Sequence, residues 1–340
     1  MLGLPPLPRT IAAALRDAEH PEVRVRLSAL ADLARHTRGA ERERATIALI
    51  ALLRSDPRAE LRAEAAVALA DAEATGARTA LLAALEDPEL RVRQMAIIAL
   101  GELGEPGDVE LTERLGAALG ANEPELRFQA LIACERLAPE QAPLLIERAL
   151  GDDDDEVRAM ALRLARRRWP EAGAPPGIVA RATAALDDTA AIVRAAAALW
   201  LAPCGVEHAD DVLVGVVDGS VRLELGSDLE EAIELVGVRR LHRAERALAR
   251  RAFGLFARVD ALRWHALVAL ARLGDARARR TILRGLAAWT RDARTLAVVA
   301  AGRAGLREAE STIGRFRGNP RRAAPEAVEE ALSELATLPD

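Results

Sequence analysis

The chain has 340 residues, 51% of them apolar and 2% aromatic, with no Tyr. A compact protein of this length splits into two or three domains, whereas a repeat protein need not; a core so poor in rings must be built from Ala, Leu, Val and Ile, which suits helix packing and speaks against a β-sandwich. The net charge is −5 and all 47 basic residues are Arg, which reads as the base composition of a GC-rich, bacterial-like genome before it reads as chemistry.

The opening "MLGLPPLPRT" has prolines where a signal peptide needs an apolar run. The longest clean apolar stretch, Ala45–Leu53, is far short of the ~20 residues of a membrane span. The expectation is a cytoplasmic protein without a span. Cys134 and Cys204 are the only cysteines. Two isolated thiols make neither a disulfide framework nor a zinc site, and both are expected to be buried and reduced.

Along the chain one phrase recurs: an aliphatic residue, then Arg, then Ala or similar three and six positions on. It stands at Arg26, Arg62, Arg93, Arg127, Arg158 and Arg194, and again at Arg263 and Arg294. The first steps are 36, 31, 34, 31 and 36 residues and the last is 31, a period that marks a solenoid. Each unit opens with a helix such as Arg78–Glu86. Asp56, Asp87, Asp152 and Asp188 sit six before the motif Arg, where an Asp can cap the next helix. Pro21, Pro57 and Pro88 follow, where a missing N–H costs nothing. The second helix then runs to a Gly or Pro, as at Gly104 and Pro139. Between Pro203 and Asp260 the phrase slips: "DGSVRLELGSD" (Asp218–Asp228) reads as an extended insertion, and Ser227 with Glu230 as a capping box. The final "APEAVEEALSELA" is acidic and polar on one face, as a terminal cap should be.

The Asp-Pro turn, the aliphatic-Arg pair and the Ala-x-x-Ala-Leu tail resemble the HEAT-repeat family, including its shorter phycobilisome-lyase-like branch. The resemblance covers nearly the whole chain. It implies paired antiparallel helices in a right-handed superhelix, the second helices lining the concave side, and a ladder of turn Asp and motif Arg between units. His20 and Ala121-Asn122 replace the Asp in the first and fourth units. The expected fold is therefore all-α, a right-handed superhelical solenoid of about ten antiparallel helix pairs in one domain, 1–340. Regular repeats fill 1–202, an irregular repeat with an insertion 203–260, basic regular repeats 261–322, and an acidic cap helix 323–340.

Count along each second helix from the motif Arg as position zero. At ~100° per residue, positions four and five read as buried flanks, and positions one and eight as the concave surface. Most residues at one and eight are small, which predicts a shallow groove; Phe128 and Trp264 project from it, beside Leu27, Gln94, Glu135 and Arg166. Aromatics at a groove centre anchor partner peptides.

Charge is segregated. Residues 1–237 carry 26 Arg against 41 acids, and residues 238–322 carry 21 Arg against 6 acids. Arg239, Arg243, Arg246 and Arg250 follow steps of 4, 3 and 4, as on one helix face, and Arg277, Arg279, Arg280 and Arg284 follow one unit later. Such a stripe suits phosphates, an acidic protein or an anionic membrane surface, or is a solvated outer face. "GDDDDEVR" (Gly151–Arg158) lacks calcium-loop spacing and reads as an N-cap region.

Catalytic motifs are absent. The five histidines form no i, i+4 pair, and there is no nucleophile elbow, phosphate loop or dinucleotide fingerprint. HEAT-like DNA glycosylases use Trp and Asp near a basic surface, and Trp264, Asp260 and Asp292 are the residues that resemblance would pick out. The function expected is non-catalytic protein or peptide binding in the concave groove, with no cofactor and no metal. The alternative is nucleic-acid or other polyanion binding through 238–322.

Overall fold

Ala, Leu and Arg are strong helix formers, and they fill a computed structural model built of helices. It describes residues 9–36, 39–170, 173–222, 226–257 and 259–337, without the side chains of 226 and 227. Among the described residues there are twenty α-helices and no strand. They fall into two compact units, Met1–Leu164 and Ala165–Asp340.

In the first unit, α1 (Ile11–Ala18) pairs with α2 (Val23–Ala34), α3 (Gly39–Ser55) with α4 (Ala59–Asp71), α5 (Arg78–Ala84) with α6 (Leu90–Leu103), and α7 (Val109–Gly116) with α8 (Pro124–Leu137). Next come α9 (Ala142–Ala149), which packs on α8, and α10 (Asp155–Arg168), which carries the unit boundary. In the second unit α11 (Pro176–Ala184) pairs with α12 (Ala191–Leu201), and α13 (Glu207–Asp218) with α14 (Gly226–Val238). The remaining pairs are α15 (Glu245–Phe253) with α16 (Arg263–Arg272), α17 (Ala276–Gly285) with α18 (Arg291–Arg303), and α19 (Glu310–Gly314) with α20 (Pro325–Ala336). First helices pack on first helices, as α1 on α3 and α3 on α5. Second helices pack on second helices, as α2, α4, α6 and α8 in one unit and α14, α16, α18 and α20 in the other.

The core follows the repeated phrase. Position three is Ala29, Ala65, Ala96, Ala130, Ala161, Ala197, Ala266 and Ala297, all fully buried, and position four is buried in every pair that carries the motif Arg. Alanine at three lets the two helices of a pair approach closely, and the larger residues at four fill the space between pairs. The segment 203–260 keeps this register. In α14, Leu229 stands where the Arg stands elsewhere, with Ala232 and Ile233 buried at three and four. Residues 223–225 of the expected insertion, and the Ser227 side chain of the expected capping box, lie outside the described residues.

The turn Asp does not cap the helix. The Oδ1 atoms of Asp56, Asp87, Asp152 and Asp188 accept from the backbone N–H two residues on, at 2.8–3.0 Å. This Asx turn closes the loop just before the helix. In the first pair His20 Nδ1 accepts from Glu22 N–H at 3.0 Å and does the same work. The motif Arg holds the turn from the other side, as Arg62 Nη1 donates to Asp56 O at 3.0 Å. It then reaches forward to the next turn: Arg26 to Asp56, Arg62 to Asp87, Arg127 to Asp152. Where the fourth unit lacks its Asp, Glu123 receives Arg93 at 2.7 Å instead. In "GDDDDEVR", Asp154 caps α10 through the N–H groups of Glu156 and Val157.

The turns that leave the second helices also repeat. Glu73, Gly205, Arg240, Gly274 and Gly305 all take positive φ. The N–H of the following residue bonds back across each to a carbonyl in the last helical turn, as Leu241 to Val236 O and Asp275 to Leu270 O. This is the Schellman pattern, for which Gly is suited and Glu or Arg is not. Cys134 is buried, and burial pushes its thiol up to about 11; Cys204 is exposed, contrary to the expectation for it.

Candidate functional site

The second-helix layer is turned about 80° from the orientation the sequence suggests. Position eight faces the next pair. A Cβ on Gly101 would stand 2.9 Å from Ala133 Cβ, one on Gly237 2.7 Å from Ala269 Cα, and one on Gly302 2.8 Å from Ala331 Cα. Small residues there mark helices in contact, not a shallow floor. Position one leans the same way: the Trp264 ring packs beneath Gly285, at the end of α17, and is half-buried. Phe128 and Gln94 hold the same register and are half-buried, while Leu27 packs on the core. Glu135 is buried, and Arg166 reaches Glu231 on α14 with Nη1 at 2.7 Å from Oε2.

The open face comprises positions minus two, two, five and nine. On α2, α4, α6 and α8 position five carries Ala31, Val67, Ile98 and Ile132, exposed or half-buried, with Met95, packed on the core, beside them at position two; on α10 it is Arg163. Around this row stand Glu60, Glu64, Asp71, Glu102 and Glu125. On α6 and α8 the Arg residues of this face are engaged: Arg91 pairs with Glu64 at 3.1 Å, and Arg136 donates to the carbonyls of Gly101 and Gly104. The result is an apolar row with an acidic rim.

The second unit puts charge on its second helices. Glu234 Oε1 lies 3.2 Å from His265 Nδ1 and 2.7 Å from Arg303 Nη1, and Glu230 Oε1 is 3.5 Å from His265 Nε2. Glu230, Glu234 and His265 each offer a ligand atom, all within 4.8 Å of one another, so the group could hold a divalent cation; Arg303 and His265 already give Glu234 a polar partner on each side. Arg272, next to this group, donates Nε to Arg303 O at 2.8 Å, and burial holds its guanidinium below the usual Arg range. Burial, with Glu330 nearby, lifts the Glu334 carboxyl. The sequence reading sought two His one helical turn apart. The available signal was different: Glu230 and Glu234 one helical turn apart, and a His one repeat later.

The Arg stripe is divided by the fold. Arg239 and Arg243 are not on the helix of Arg246 and Arg250, because α14 ends at Val238 and Arg240 reverses the chain. Arg239 is bound by both oxygens of Asp210, at 3.0 and 2.8 Å, which raises its pKa, and Arg243 pairs with Asp211 at 2.5 Å. Arg277 lies over the Phe253 ring, 4.0 Å from its centroid. Arg280 donates to Ala276 O. Arg246, Arg250 and Arg284 extend into solvent. Asp260 closes its own turn at Leu262 N–H and pairs with Arg251 at 3.1 Å, which gives it the structural role of the other turn acids.

The regular pairs of the first unit carry the family signal. Residues 46–133 match the HEAT-repeat family. No curated protein matches the chain in sequence. Among structures, a homology model of the full-length AP-3 complex in an intermediate open conformation contains a similar chain, 11% identical with a TM-score of 0.54, over 96% of this chain and 68% of that one. Kap121p bound to RanGTP is similar at 14% identity and a TM-score of 0.51, over 97% of this chain and 40% of that chain. At these identities the likeness is one of HEAT-like fold. The CpcE and CpcF complex of phycocyanin lyase from Nostoc sp. PCC7120 is a looser match, with a TM-score of 0.43 and 20% identity over 75% of this chain and 98% of that chain; no chemistry follows from it. No helix among the described residues is long and apolar enough to cross a membrane.

Proposed function

We propose that this protein is a non-catalytic interaction scaffold whose first unit holds a partner protein segment along the open faces of α4, α6 and α8. The observation that carries the reading is the half-buried row Val67, Ile98 and Ile132, at one position of three successive second helices whose positions three and four are fully enclosed. Its rim favours a partner with apolar anchors flanked by Arg or Lys. The excess of 29 acids over 20 Arg in residues 1–164 draws such a segment in. Phe128, Gln94 and Leu27 border the row and would shape its walls. Related folds supply precedent: Kap121p is described bound to RanGTP and to Pho4p.

Display selection of random peptides on the whole chain tests this. Peptides rich in basic residues around spaced apolar ones are expected, with binding lost by about tenfold or more on Ile98→Asp/Ile132→Asp. Selected peptides that bind the variant equally would overturn the proposal. A second reading, polyanion binding by residues 238–322, is supported by Arg246, Arg250 and Arg284, which face solvent. It predicts retention of DNA or RNA that falls steeply with salt.

A further inference from the structure

Among the described residues, the four most exposed large apolar side chains lie in the inner loops of two consecutive helix pairs: Trp289 at 97%, Leu255 at 91%, Val259 at 82% and Phe256 at 74%. Leu255, Phe256 and Val259 belong to the loop between α15 and α16, and Trp289 to the loop between α17 and α18. Both loops are on one edge of the second unit. Gly285, at the end of α17, lies against Trp264, at the start of α16. A third loop is tied to that of Trp289: Arg294 donates to Trp289 O and Ala288 O with one nitrogen, and to Arg321 O and Arg322 O with the others.

The rim of this edge is cationic. Arg250 and Arg284, near the ends of α15 and α17, and Arg291, Arg321 and Arg322 in or next to the loops are all exposed. The carboxylates nearby are Asp260, held by Arg251, Glu308, held by Arg279, and Asp292 and Glu326 in the first turns of α18 and α20. Apolar tips that protrude above a ring of cations match one environment closely: hydrocarbon just below a layer of anionic phosphates. A nucleic acid would stack on Trp289 and Phe256, but it has no use for Leu255 and Val259, which lack a π-face. A protein groove would need the tips to converge, whereas they stand on separate loops along an edge.

We propose that this edge docks on an anionic lipid bilayer, with Trp289, Leu255, Phe256 and Val259 entering the interfacial region and Arg250, Arg284, Arg291, Arg321 and Arg322 meeting lipid phosphates. The proposal rests on the second unit alone and not on the partner reading of the first.

The test is co-sedimentation of the whole chain with vesicles of phosphatidylcholine alone and with about one third phosphatidylserine, followed by tryptophan emission. The expected result is binding to the anionic vesicles, a blue shift that Trp289→Phe abolishes, and a loss of about tenfold or more in Leu255→Ser/Phe256→Ser/Trp289→Ser. These side chains are almost free of protein contact, so the variant keeps its helical circular dichroism. Failure to sediment with anionic vesicles, or equal sedimentation of the triple variant, overturns the proposal. Tight binding of a single-stranded oligonucleotide that the triple variant loses, without vesicle binding, would assign the edge to nucleic acid and also overturn it.

Discussion

Arg62 and Asp87 join successive helix pairs through two parallel bonds, Nε to Oδ2 and Nη2 to Oδ1, both 2.8 Å long. The side chains are 13% and 12% exposed. The paired guanidinium holds the Asp87 carboxyl below its ordinary value, and Asp87 raises that of Arg62. Asp87→Ala also frees the Glu89 N–H of the Asx turn. The expected loss is about 1.5–3 kcal/mol of unfolding free energy in urea melts. Glu329→Ala, at the exposed Arg317 pair, should leave the midpoint almost unmoved.

Acid should undo these contacts in order. Asp108 caps α7 at Leu111 N–H and receives Arg78, which holds its carboxyl down at about 2. A carboxylate depressed in the folded state adds stability above its unfolded pKa and loses it as pH falls through the folded one. Thermal midpoints should be flat near neutrality and fall below pH ~4, where the unfolded chain takes up protons first. Arg78→Met should raise the Asp108 value toward the ordinary 3.8 and flatten that acid limb, as read by NMR titration and melts.

Arg240 has φ of 54° at a turn where Gly205, Gly274 and Gly305 occupy the same place in other pairs. An L side chain is strained there. Arg240→Gly should stabilise the protein by about 0.5–1 kcal/mol, and Glu73→Gly, with φ of 50°, should act in the same direction.

Gly237→Ala tests the close approach of α14 and α16. Its new methyl would meet backbone at 2.7 Å, and the expected cost is about 1–3 kcal/mol. Gly116, with nothing within 4 Å and ordinary helical angles, is the control: Gly116→Ala should gain about 0.5–1 kcal/mol.

A thiol titration reads the core directly. With Cys134 buried and raised to about 11 and Cys204 exposed, an aromatic disulfide reagent near pH 8 should count one thiol in the native protein and two in denaturant.

The fold was legible because its signals are local and repeated. An Arg every 31 to 36 residues, with Ala at three and a larger aliphatic or Ala at four, defines both helices of a pair and the turn between them. The site was less so. Position eight holds Gly101, Gly237 and Gly302, and a small residue looks alike in a column whether it floors a groove or touches a neighbouring helix. The contacts at Ala133, Ala269 and Ala331 decide for the latter. Val67, Ile98 and Ile132 looked buried for the converse reason, since an apolar residue on an open face resembles a core residue. The Arg239–Arg250 spacing fitted one helix because nothing in it betrays the left-handed turn at Arg240. His265 meets Glu230 and Glu234 across one repeat, in the pair whose motif Arg is replaced by Leu229.

The forward reach of the motif arginines has a temporal side. Arg26, Arg62, Arg93 and Arg127 each take their carboxylate from residues 25 to 30 positions downstream. On a ribosome, these four hairpins therefore emerge ahead of the carboxylates that latch them, each waiting for the next turn to leave the exit tunnel.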